Sequence, residues 1–233
     1  MSHLSDSGSA AGRAYSSLKQ EILVCDLAPG SPVFEGEIAE RLKMSKTPVR
    51  EALGMLVHEG FVEVRPRQGY RVTDVTRGDV QEVFQLRLLL EPAAAELAAE
   101  RATPEQLKAL RTSSEDDPSQ EYEESVMQAA TFHSTLADAS GNRRLASTLH
   151  SLLDEMQRLR FIGLTSGDTY ENETAEHREL LDALLKGNHH LARDIAQRHV
   201  EGDRMRMFEA ILGSLSTSGA GVAASQVRLR PGD

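Results

Sequence analysis

Strand-like alternation occurs in one place in this chain, and its position decides the architecture. Residues 61–75 read FVEVR, PRQG, YRVTDV: two runs that alternate apolar and polar, joined by a Pro/Gly turn. Before them the apolar spacing is helical, and after residue 75 no periodic strand pattern returns. Tryptophan is absent and aromatics make up 4% of residues, so the core falls to Leu, Val, Ile and Ala. That composition favours helices over a β-sandwich. The expected fold class is mainly α, with one short ribbon.

The residues ahead of the ribbon read as three helices. From Ala14 to Cys25, the residues Tyr15, Leu18, Ile22 and Cys25 fall along one face, and LAPG ends the run. EGEIAERL (35–42) is a second helix with Ile38, Ala39 and Leu42 facing inward. After the tight link KMSK, Ser45 or Thr47 can cap a third helix, with Pro48 in its first turn. Val49, Ala52, Leu53 and Leu56 form the buried face of that helix, and Gly60 stops it. Helix, helix, turn, helix and ribbon make a winged helix-turn-helix. The chain carries a net charge of −10, yet residues 41–71 hold seven Lys/Arg against three acids. A local basic surface on an acidic body suits DNA, because the local field decides. Lys46, Thr47 and Arg50 stand at the exposed start of the third helix. Arg65, Arg67 and Gln68 stand at the ribbon tip, and Gly69 allows close backbone approach to a groove. The plainer alternative is a set of solvated charges on a protein-interaction module.

The rest of the chain reads as a helical bundle large enough to enclose a cavity. A long helix runs from Val80 to just before Thr103-Pro104, with a kink expected near Leu90 ahead of Pro92. TSSEDDPSQ is a loop; helical stretches follow at about 120–139, 143–163, 170–186 and 188–212, with SGN and KGN marking two breaks. His133, His177 and His199 each fall on an apolar helical face. Neutral imidazoles from three helices can hold a divalent metal in a bundle core. Taken singly, each reads first as a hydrogen-bonded core histidine. The single cysteine, Cys25, excludes an intramolecular disulfide and points to a reducing, cytoplasmic setting. No apolar run approaches the roughly 20 residues of a membrane span. The expected organisation is a disordered leader (1–11), a winged helix (12–75), a helical domain (79–212) and a low-complexity tail (213–233).

SKTPVREALGMLVHEGFVEVRPRQGYRV resembles the DNA-binding core of GntR-family bacterial transcription regulators. FQLRLLLEP, FHSTLADASGN, EHRELLDALLKGN and a last-helix histidine 22 residues after the EH histidine are similar to the FCD effector domain of the FadR subfamily. The resemblance implies that Lys46, Thr47, Arg50 and Gly69 contact operator DNA. It also implies a homodimer on a pseudo-palindromic site and a small organic acid as effector. His133, His177 and His199 would hold one divalent metal, Zn²⁺ or Ni²⁺. Two positions depart from the pattern. Gly36 stands where fatty-acid-type members often carry an arginine that reaches DNA. Ala129 stands where metal-binding members carry an aspartate ligand. Arg87 is either a bidentate clamp for an effector carboxylate or half of an Arg87–Glu91 surface pair at i, i+4. Glu124 and Gln128 are poorly spaced to replace the missing carboxylate, and His189 and His190 are assigned no role. Two other classes compete: a hydrolase using a three-histidine metal, for which no HExxH-like base is present, and an architectural DNA-binding protein.

Overall fold

The computed structural model describes residues 8–115, 121–163 and 171–217. They form two compact units that divide between Arg77 and Gly78. In the first unit, α1 (Ala10–Leu23), β1 (Pro32–Val33), α2 (Glu35–Arg41), α3 (Lys46–His58), β2 (Val62–Arg65) and β3 (Gly69–Val72) follow in order. The buried face of α1, Ala14, Leu18 and Ile22, packs in one cluster with Val49, Ala52, Leu53 and Leu56 of α3. Phe61, Val62 and Val72 seat the ribbon on the same core.

Local chemistry explains the boundaries. Ser9 caps α1 by accepting from Gly12 N at 2.9 Å, so the helix starts inside the residues expected to be leader. The helix ends at Leu23, and Cys25 takes a left-handed φ of 61° beyond it rather than joining the helical face. Ser45 is the N-cap residue of α3, although its side chain makes no cap hydrogen bond. Gly60 follows the C-cap at φ 82°, the left-handed stop that glycine accepts without a Cβ penalty. The ribbon gains a third strand: Pro32↔Arg71 and Val33↔Tyr70 pair β1 antiparallel to β3, giving the order β1-β3-β2. Two residues of strand carry no periodicity, so no alternation announced it.

In the second unit α4 (Arg77–Arg101) is one continuous helix with Pro92 inside it, and α5 (Pro104–Thr112) follows a Thr103–Gln106 capping box. Next come α6 (Tyr122–Ala139), α7 (Arg143–Gly163), α8 (Glu171–Leu185) and α9 (His189–Thr217). The SGN and KGN breaks use the same device twice: a left-handed Gly141 or Gly187, then an Asn side chain that accepts from the next helix's first amides. Residues 213–217 extend α9 rather than belonging to the tail. Of the expected leader (1–11), the TSSEDDPSQ loop (112–120) and the tail (213–233), residues 1–7, 116–120 and 218–233 lie outside the described residues. The core gathers Phe132 and Leu136 of α6 with Leu180, Leu181 and Leu184 of α8 and Ile195 of α9. Each such leucine stabilises the unit by about 1.5–3 kcal/mol.

Candidate DNA-binding surface and buried histidine centre

On the first unit, Lys46, Thr47 and Arg50 are exposed on the opening turns of α3, and Arg67 and Gln68 are exposed on the β2–β3 turn. Arg65 is half-buried and meets Glu63 at 2.5 Å. Arg67 takes a left-handed φ of 65° in that turn. Gly69 has a reason inside the fold: at φ 83°, a Cβ there would stand 3.1 Å from the Val33 carbonyl oxygen of β1. The close approach that needs glycine is therefore made to the neighbouring strand. Arg50 does not wave freely. Its Nε donates to Glu35 Oε1 at 2.9 Å and its Nη2 to Oε2 at 2.7 Å. Gly36 leaves room beside it, its missing Cβ falling 3.9 Å from Lys46 Cε.

In the second unit the three histidines meet. His133 of α6, His177 of α8 and His199 of α9 are all buried, and one ligand atom of each lies within 4.8 Å of the others. Phe132 stacks on His177 with centroids 4.0 Å apart and fixes its ring plane. His199 Nδ1 lies 2.6 Å from Glu176 Oε2. His133 Nδ1 lies 2.9 Å from Glu91 Oε2, an ion-pair contact whose angle falls short of a straight hydrogen bond. Glu91 is held well below the usual carboxylate range against the opposing penalty of burial, chiefly by Arg87 and His133; His199 and Arg206 similarly depress Glu176. A carboxylate beside each Nδ1 favours the tautomer with a proton there, which turns Nε2 of a neutral ring toward the centre as a ligand atom. Yet His133 Nε2 and His199 Nε2 face each other at 3.2 Å. In neutral rings of that tautomer the two lone pairs would face each other, an arrangement that a shared cation relieves.

The donor set fits a metal. Tetrahedral Zn²⁺ with Zn–N near 2.0–2.1 Å sets its ligand nitrogens about 3.3 Å apart, close to the observed pair. The third ring, His177, has a buried Nε2 with no hydrogen-bond partner. Its pKa is pushed well below the ordinary histidine value by burial and by the neighbouring imidazoles, which keeps it neutral and able to ligate. Ala129 is buried on the same helix as His133 and brings no ligand. Glu124 is exposed, and Gln128 spends its amide on the Glu115 carbonyl at 2.8 Å, so neither replaces the aspartate.

Arg87 is wholly buried, and it does not stand open to a cavity. Its Nε meets Glu91 Oε1 at 2.5 Å and its Nη1 meets Asp203 Oδ2 at 2.6 Å; Nη2 alone has no hydrogen-bond partner. The i, i+4 pair with Glu91 exists, but in the core rather than on the surface. Asp203 Oδ2 also accepts from Arg160 Nη2 at 3.0 Å, and Arg160 forms a two-pronged pair with Glu173 at 2.8 and 3.0 Å. Arg160, Glu173, Glu176 and Asp203 were passed over in the sequence, and Glu91 was read there only as a surface partner of Arg87. Spacing could have found one of them: Asp203 stands four after His199, as Glu91 does after Arg87, each pair sharing a helical face. His189 is half-buried and His190 exposed, away from this network.

Comparison with known proteins settles the family. Residues 10–72 match the model of the bacterial regulatory proteins of the gntR family, and residues 82–202 match the FCD domain. The chain belongs to the GntR family, with an FCD domain. It is 34% identical over 185 residues to a probable D-xylose utilization operon transcriptional repressor of Paenarthrobacter nicotinovorans, covering 77% of this chain and 80% of that protein. It is 29% identical over 194 residues to the HTH-type transcriptional regulator YdhC of Bacillus subtilis, covering 81% and 87%. Among solved structures, Escherichia coli McbR/YncC shares the fold at a TM-score of 0.73 and 23% identity, covering 87% of this chain and 99% of that one. This GntR-family chain is thus a transcription regulator that binds DNA through its winged helix. The comparisons give no support to the hydrolase alternative. No helix among the described residues is long and apolar enough to cross a membrane.

Proposed function

We propose that this chain acts in the cytoplasm as a homodimeric, effector-responsive operator-binding protein. Its helical unit takes one divalent cation at His133, His177 and His199 and a small carboxylate effector beside it. The observation that carries the reading is the facing Nε2 pair, each ring locked from behind by a carboxylate. The cation would supply fixed positive charge to a site that has none to spare: Arg87 and Arg160 are outnumbered by Glu91, Glu173 and Asp203 in the same buried network. An acid entering that network without the cation meets an excess of negative charge, and Arg87 offers it only Nη2. Lys46, Thr47, Arg50, Arg65, Arg67 and Gln68 contact operator DNA. Leu86 and Leu89 support self-association: they are 43% and 70% exposed and lie on one stripe of α4 with half-buried Leu90, Ala93 and Leu97.

Elemental mass spectrometry of the purified, chelator-free protein tests the metal reading. About one Zn²⁺ or Ni²⁺ per chain, lost in His177→Ala, is the expected result; a metal-free protein that binds operator normally and responds to acids would remove the cation from the function. Organic acids able to complete a metal's coordination sphere are the first effectors to titrate against the protein–DNA complex.

A further inference from the structure

A carboxylate on a surface meant for phosphates works against binding, so Glu35 calls for a reason. It opens α2 and stands among residues that face DNA: Arg50 and Lys46 of α3, and Tyr70 of β3, whose hydroxyl donates to Glu35 Oε1 at 3.4 Å. Its two oxygens take the side edge of the Arg50 guanidinium, Nε and one hydrogen of Nη2, at 2.9 and 2.7 Å. That geometry leaves the other edge, Nη1 and the second hydrogen of Nη2, pointing on past the carboxylate. Among the described residues Nη1 makes no hydrogen bond. The Nη1/Nη2 edge is the fork that matches O6 and N7 of guanine in the major groove. An arginine 65% exposed at its side chain would otherwise sample many rotamers and reach phosphate as easily as base.

We propose that Glu35 is a positioning residue that aims Arg50 at a guanine of the operator. The bidentate pair fixes the plane and direction of the guanidinium before DNA arrives. What Glu35 forfeits in attraction to phosphate, it returns as discrimination between bases.

The test uses the full chain and a randomised 30-base-pair duplex library, from which the wild type selects its preferred sequence. Affinities for that duplex and for a scrambled duplex of equal composition are then measured at one salt concentration. Glu35→Ala is expected to lower the ratio of the two at least tenfold. Affinity for the scrambled duplex should stay constant or rise, because a negative charge has been removed. The guanine preference selected by the wild type should fade at one position per half-site. Glu35→Gln, nearly isosteric but uncharged, should fall between. In an Arg50→Ala background, adding Glu35→Ala should change the ratio less than twofold. Equal weakening on both duplexes would mean Glu35 merely supports the fold and would overturn the proposal. So would a ratio unchanged in Glu35→Ala, or an effect that persists without Arg50.

Discussion

Replacing Asp203 by asparagine should destabilise the helical unit more than replacing Glu173 by glutamine, although both are buried carboxylates in one network. Asp203 Oδ2 is shared by two buried arginines, 2.6 Å from Arg87 Nη1 and 3.0 Å from Arg160 Nη2. Arg87 is 0% exposed and cannot recruit water in its place. Uncovering one side of a buried ion pair costs about 3–5 kcal/mol, or roughly 6–20 °C in Tm for a unit of this size. Glu173 sits differently. Its oxygens meet Arg160 and, at 3.8 Å, half-buried Arg206, yet burial and the neighbouring Asp203 push its pKa above the usual range, whereas Arg160 and Arg87 hold Asp203 well below it. Glutamine at 173 removes a charge the site disfavours and keeps one acceptor for Arg160, but its NH2 meets the second guanidinium donor, so the change should cost about 1–3 kcal/mol. Both variants would be followed by urea denaturation monitored by circular dichroism, with chelator present throughout so that metal content does not differ. Asp203→Asn within 1 kcal/mol of wild type, or a Glu173→Gln penalty larger than that of Asp203→Asn, would refute the charge assignment.

Three further outcomes are expected. Operator affinity should fall steeply with salt, and Lys46→Ala should make the log–log slope shallower by about one without changing base preference; an unchanged slope would take Lys46 off the phosphate backbone. Leu86→Glu with Leu89→Glu should weaken dimerisation by at least about 100-fold, given about 1.5–3 kcal/mol per buried leucine, and sedimentation equilibrium should report a monomer where the wild type is a dimer. Because the folded-state pKa of Asp203 is depressed, its contribution is fully present above the unfolded carboxylate value near 4 and is lost as pH falls through the folded value. Chelated wild type should therefore lose stability on acidification, and Asp203→Asn should show a flatter profile over the same range.

The winged helix was legible because its signals are local. Pro48 in the first turn of α3, Gly60 at its stop and the alternation from Phe61 to Val75 each depend on neighbours a few residues away. β1 escaped because two residues have no period, and α5 because a nine-residue helix offers little periodicity to read. Pro92 lies inside α4 as the sequence placed it, and the helix is continuous on both sides of it. The three histidines were visible as residues on apolar faces, and they do converge. Their carboxylate partners were not, since Glu91–His133 and Glu176–His199 are contacts between helices far apart in sequence. Arg87 shows the limit most clearly. Its i, i+4 partner was in plain view, but burial turned an ordinary surface pair into one corner of a charged core.

His199 and Asp203 lie one turn apart on α9, about 6 Å along its axis. One faces the imidazole cluster and the other anchors two arginines. One rigid helical turn therefore carries a ring of the histidine cluster and the shared anchor of two buried arginines, so a shift of α9 would displace both together.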